Sequence, residues 1–141
     1  MGTVDRFRAA VEARDLAALD GLFAPDIKFF SPVKFTPFEG LPLVRGLFGV
    51  LFGTFENFSY VGELAGEVDS NKDSHLLVFR ATVGGKQIHG IDLLQLDADG
   101  LVTEFTVMVR PLSAVVALGE AVQAGLVAAG LVPGPNAEVA R

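Results

Sequence analysis

A pair of adjacent glycines, Gly84 and Gly85, constrains the fold of this 141-residue chain more than any other feature. Glycine reaches positive φ at no steric cost, and two in succession suit the two-residue turn of a β-hairpin. On both sides of the pair the side-chain period is two. It predicts four strands, at residues 58–68, 75–83, 86–96 and 101–110. Asp97-Ala98-Asp99-Gly100 is a second tight turn, and the polar segment 69–74 is expected as a loop between the first two strands.

The two turns set a register. If Val83 pairs with Lys86, Leu77 lies opposite Asp92 and His75 opposite Leu94. If Leu96 pairs with Leu101, Asp92 lies opposite Phe105. Alternation then places His75, Leu77, Phe79, Ile88, Gly90, Asp92, Leu94, Phe105, Val107 and Val109 on one face. Val78, Arg80, His89, Ile91, Leu93, Glu104, Thr106, Met108 and Arg110 occupy the other. The first face is apolar apart from Asp92, His75 and one glycine. An isolated carboxyl on such a surface has a raised pKa and is suited to acid or base work. Its structural alternative is a carboxyl hydrogen-bonded to a buried partner. His75, diagonal to Asp92, is the candidate second member of a proton-transfer pair. As a strand-end histidine it could equally stand in water. His89 is read as an outer-face or dimer-contact residue.

Helical spacing governs the first half. Val4, Phe7, Ala10 and Val11 form one stripe, and Asp15 is an N-cap for a second helix with Leu16, Leu19, Leu22 and Phe23 on one face. Pro25 and Asp26 interrupt this pattern ahead of a short strand at 27–30 and a Phe- and Pro-rich loop at 33–42. A third helix at 43–55 turns Val44, Leu47, Phe48, Leu51 and Phe52 inward. Residues 112–132 read as a C-terminal helix. They are long enough to cross a bilayer, but Glu120, Gln123 and three glycines argue for a buried or partner-covered helix instead. Helices followed by an antiparallel meander indicate a single α+β domain over residues 1–132, with a flexible tail at 133–141.

Composition removes several chemistries. Without cysteine there is no disulfide framework, thiolate metal site or Cys nucleophile, and two histidines are too few for a multi-histidine zinc site. No metal or cofactor is expected. Eleven basic against seventeen acidic residues give a net charge of −6, the wrong sign for tracking nucleic acid. The opening MGTVDRFRAAVEARD has acids among its arginines and no apolar run, so no signal peptide is read there and the cytoplasm is the expected location. Nine of the twelve phenylalanines fall between Phe23 and Phe58, around the loop and third helix. Lys34, Glu39 and Arg45 are expected as solvated charges, Arg45 being the one placed to meet a ligand carboxylate. The Tyr60 phenol is a further candidate whose register no tight turn settles.

The segments RFRAAVEARDLAALDGLFAPDIKFFSPV, FEGLPLVRGLF and GIDLLQLDADGLVTEFTVMVRPL resemble, in order and spacing, the nuclear transport factor 2-like superfamily. That superfamily includes SnoaL-type polyketide cyclases and ketosteroid isomerase. The resemblance implies a cystatin-like, cone-shaped curved antiparallel sheet with N-terminal helices on its concave face, here with an extra C-terminal helix. It also implies a deep apolar pocket and a homodimer built on the sheet's outer face. Compared residue by residue, the oxyanion-hole Asp of ketosteroid isomerase falls on Asp92. Its general base falls on Ser31, and two pocket tyrosines fall on Phe7 and Phe48. A hydroxyl does not replace a carboxylate as a base near neutral pH, so steroid isomerase chemistry is not expected. The second Asp of the related epoxide hydrolases falls on Val107.

Face assignment and resemblance together give a pocket of Phe7, Ser31, Phe48, Phe52, Leu77, Ile88, Gly90, Phe105, Val107 and Val109, with Asp92 and His75 as the catalytic candidates. The expected function is cofactor-free proton transfer, of isomerase or cyclase type, on a hydrophobic small molecule. The alternatives are a non-catalytic carrier of an apolar ligand and a structural dimer whose cavity is filled by its own C-terminal helix.

Overall fold

Gly84 and Gly85 adopt φ of 54° and 80° and join two long strands, β4 (Asn71–Val83) and β5 (Lys86–Leu96). The computed structural model describes residues 2–133, so residues 134–141 of the expected tail lie outside the described residues. Val83 pairs with Lys86, Leu77 with Asp92 and His75 with Leu94, as the turn predicts.

The next strand, β6 (Val102–Arg110), departs from expectation. Asp92 pairs with Val107 and Leu94 with Phe105, a slip of two residues, and the register is irregular between Gln95 and Leu96. A bulge takes up extra chain beside the Asp97 turn. Because the slip is even, every side chain keeps its predicted face.

The expected polar loop at 69–74 contracts to two residues. Asp69 and Ser70 take positive φ (49° and 66°), and Val68 of β3 (Glu56–Val68) pairs directly with Asn71. Short polar side chains tolerate this conformation. The Asn71 side chain also ties the turn to the sheet, its amide donating to the Leu96 carbonyl at 3.1 Å.

The predicted second helix is a single 3-10 turn, Ala17–Leu19. Asp15 does accept a hydrogen bond from the Ala18 N–H at 3.2 Å, but the chain reverses at Gly21, where φ is 86°. Sheet pairing then takes over, since the Leu22 carbonyl accepts from the Val102 N–H at 2.9 Å. Strand β1 accordingly runs Phe23–Phe30 and lies parallel to β6. The register shift between Phe23 and Lys28 accommodates Pro25. The sheet is therefore mixed, in the order β2-β1-β6-β5-β4-β3, with β2 only Phe38–Glu39.

Helices α1 (Thr3–Ala13), α2 (Leu41–Thr54) and α3 (Leu112–Ala128) pack against the face that carries Asp92. Their apolar stripes meet it through Phe7 of α1, Val44, Leu47 and Phe48 of α2, and Ala114 and Leu118 of α3, all buried. Helix α3 touches α2 and strands β4, β5 and β6. Among the described residues no helix is long and apolar enough to cross a membrane.

Candidate functional site

Between the helices and the middle of the sheet lies a cavity of about 360 Å3. Its walls are aromatic: Phe29, Phe48, Phe52, Phe55, Phe58 and Phe105 all face it, and Leu118, Val122 and Leu126 of α3 close one side. Helix α3 is thus a wall of the cavity and does not fill it. Five polar or charged side chains share the lining, namely Ser31, Lys34, Tyr60, Asp92 and Gln123.

Asp92 and Tyr60 are the buried pair among them, each 6 % exposed. The Tyr60 hydroxyl donates to Asp92 Oδ2 at 2.7 Å. Tyr60 is held by its surroundings: Phe58 meets its ring edge-on at 4.9 Å, and the Arg8 guanidinium lies 5.7 Å above it. Arg8 is steadied in turn by Glu12 and Glu63, at 3.7 and 3.6 Å. Burial pushes the Asp92 carboxyl up to about 7, and the Tyr60 hydrogen bond only partly opposes that rise. Burial, reinforced by the neighbouring Asp92 carboxylate, raises the Tyr60 phenol well above its ordinary range. Near neutral pH, Asp92 therefore holds or releases a proton within an apolar chamber.

Of the residues expected around this site, Phe7, Ser31, Phe48, Phe52, Phe105 and Val107 line the cavity with Asp92. Leu77, Ile88, Gly90 and Val109 do not. The first two are sealed in the core, at 0 and 2 % exposure. At Gly90 a Cβ would stand 2.5 Å from Cζ of Phe79, so that ring covers the position. Phe79 stacks with Phe58 and meets Phe55, at 4.9 and 5.7 Å between centroids, filling this part of the face, while Val109 packs half-buried against the core.

The expected pairing of Asp92 with His75 does not form. His75 Nε2 lies 2.7 Å from Asp73 Oδ1 on the same strand, and His75 is not part of the lining. The cause is local: residues expected in a loop continue β4, which brings the Asp73 carboxylate to the same side of the strand as His75. Arg45 forms an ion pair with Asp20 at 2.8 Å, outside the cavity, and Glu39 lies 3.9 Å from Lys28. Lys34 is exposed, as expected of a solvated charge, and also stands at the cavity lining, its ammonium 4.6 Å above the Phe38 ring. Ser31 Oγ accepts from the N–H groups of Val33 and Lys34 at 3.3 and 3.4 Å, which makes it a turn residue at the cavity edge. Among the described residues no group of three His, Cys, Asp or Glu could hold a metal ion.

Tyr60 is the site residue that sequence reasoning left unplaced. It is the chain's single tyrosine, in a strand with period two, which is a usable signal. Three register irregularities between β3 and β4 prevent its partner from being counted out from either turn.

The SnoaL-like domain family matches residues 4–105. The chain belongs to this family. A steroid delta-isomerase from Pseudomonas aeruginosa shares 35% identity with this SnoaL-like protein, over 92% of this chain and 93% of that one, with a TM-score of 0.83. A bacterial protein of cystatin-like fold from Silicibacter pomeroyi shares 29% identity over 89% and 85% of the two chains, at a TM-score of 0.80. An NTF2-like protein from Cytophaga hutchinsonii, 20% identical over 77% and 88%, has the same fold at a TM-score of 0.57. No curated protein matches the chain. The architecture is the nuclear transport factor 2-like, cystatin-like fold.

Proposed function

We propose that this SnoaL-like protein binds an apolar small molecule in the Phe-lined cavity and moves a proton on it with Asp92, in cofactor-free chemistry of isomerase or cyclase type. The observation that carries this reading is the buried Asp92 carboxyl, facing the cavity with Tyr60 as its hydrogen-bond partner. A cavity of about 360 Å3 falls within the usual range of ligand pockets, and its walls match the body of a hydrophobic molecule. Protonated, Asp92 donates to a ligand carbonyl; ionised, it accepts a proton from the adjacent carbon. A group titrating near pH 7 suits both directions.

The 35% identical protein is a steroid delta-isomerase, which supports a steroid-like, largely apolar substrate. By the resemblance, the base position of ketosteroid isomerase falls on Ser31, whose hydroxyl is engaged by the Val33 and Lys34 amides. Asp92 must then act as both acid and base, or the protein binds without reacting. That second reading, a carrier of apolar ligands, rests on this same Ser31.

Native mass spectrometry for a co-purified ligand tests binding, followed by solvent-deuterium exchange into a panel of cyclic ketones with the parent protein and Asp92→Asn. Exchange by the parent, reduced at least a hundredfold in the variant, is the expected result. Equal binding by both proteins without exchange in either establishes the carrier. Absence of binding to any apolar ligand overturns both readings.

A further inference from the structure

The polar groups of the cavity fall into two sets that differ in exposure. Asp92 and Tyr60 form its buried end, whereas Lys34 and Gln123 line it from exposed positions. The strand order shows how far apart these ends lie. Asp92 of β5 pairs with Val107 of β6, and β6 has β1 on its other side, with Phe30 opposite Thr106. Adjacent strands are about 4.8 Å apart, so the end of β1 stands about 10 Å across the sheet from Asp92. Lys34 follows on the turn beyond it. Between the ends lie Phe29, Phe48 and Phe105, whose rings meet at 5.2 to 5.5 Å and offer only hydrocarbon.

Lys34 and Gln123 flank one rim. Val33, the neighbour of Lys34, rests on Gly119 of α3, where a Cβ would stand 3.1 Å from a Val33 methyl. Gln123 is four residues further along that helix, and residues four apart share a helix face. The chain has a net charge of −6, yet Lys34 makes no ion pair among the described residues. Glu39 is engaged by Lys28, and Glu120 lines an adjoining surface groove and not the cavity. The aromatic surface beside the Lys34 ammonium excludes water from one side of it. An opposite charge held there is attracted more strongly than in bulk water, and the Gln123 amide supplies a neutral donor.

We propose that the cavity selects an amphipathic acid, whose apolar body lies against Phe29, Phe48 and Phe105, whose inner end meets Asp92 and Tyr60, and whose outer end is a carboxylate held by Lys34 beside the Gln123 amide. This rests on the reading of the cavity as an apolar ligand site and adds which ligand it prefers.

Calorimetric titration of the full chain with a rigid fused-ring steroid ketone that carries a carboxylate at the far end from the ketone, and in parallel with the methyl ester of that acid, tests the preference. The parent should bind the acid at least fivefold more tightly than the ester. Lys34→Gln should bring the acid down to the ester's affinity without changing the ester's, Lys34→Arg should keep the preference, and Lys34→Glu should reverse it. Lys72→Gln removes an exposed charge from β4, away from the cavity, and should bind both compounds as the parent does. Lys34 is itself exposed, and far-UV circular dichroism checks that each variant is folded. Equal binding of acid and ester by the parent overturns the proposal and leaves the apolar site standing. So does a preference that survives in Lys34→Glu, or one that Lys72→Gln lowers as much as Lys34→Gln. Binding of neither compound overturns the proposal together with the reading beneath it.

Discussion

Two parts of the same concave face treat an ionisable side chain in opposite ways. At the middle of the sheet, Asp92 lies beneath three helices, reached by one phenol and raised to about 7 by burial. Toward the Asp69–Ser70 turn, His75 shares the face by parity, but its imidazole meets the Asp73 carboxylate at 2.7 Å. One side chain faces a chamber and the other the margin of the sheet. Parity along a strand decides which face a residue occupies. Cover from other elements decides whether that position is a site.

The largest consequence is a dependence of stability on pH. The Asp92 carboxyl holds its proton up to about pH 7 in the folded protein, against an ordinary value of 3.8 in an unfolded chain. Between those values the folded state binds the extra proton, so stability is fully present below the unfolded value and is lost as pH rises through the folded one. The loss amounts to about 4 kcal/mol once both forms are ionised. Urea denaturation at pH 4, 6 and 8 should show it, and Asp92→Asn should flatten the profile over that window. If the variant keeps the parent's slope, the burial of Asp92 is not its source.

A smaller effect separates the two parts of the face directly. Tyr60→Phe removes the donor to a buried carboxyl and should cost about 1–3 kcal/mol. It should also move the Asp92 midpoint upward, because the lost bond favours the ionised form. His75→Ala, at the margin, should change stability by no more than about 0.5 kcal/mol and leave the Asp92 titration where it is. Denaturation and titration of the two variants side by side check both statements. A shifted Asp92 midpoint in His75→Ala would join the two regions and end the contrast.

Much of this architecture was legible in the chain. Gly84 and Gly85 gave the β4–β5 register residue by residue, and face parity survived the slip at Gln95–Leu96 because the slip was even. The aromatic wall could be read from Phe7, Phe48, Phe52 and Phe105, all of which line the cavity. What stayed hidden depends on long-range pairing. Residues 16–23 carry a helical stripe, yet parallel pairing with β6 draws Phe23 into a strand. Leu77, Ile88 and Gly90 have the right parity, but the Phe55, Phe58 and Phe79 rings fill that part of the face. No local rule gives the reach of those rings. The Tyr60 contact with Asp92 depends on the bulges of β3, which the alternation of residues 58–68 does not announce.

The central claim is that one carboxyl titrates near neutrality because it lies in an apolar chamber. Carbon-13 NMR titration of the Asp92 side-chain carboxyl, assigned by its loss in Asp92→Asn, tests it most directly. The account predicts a midpoint near 7. A midpoint near 3.8, the ordinary value for aspartate, would contradict it by showing a solvated carboxylate where the structure has a buried acid.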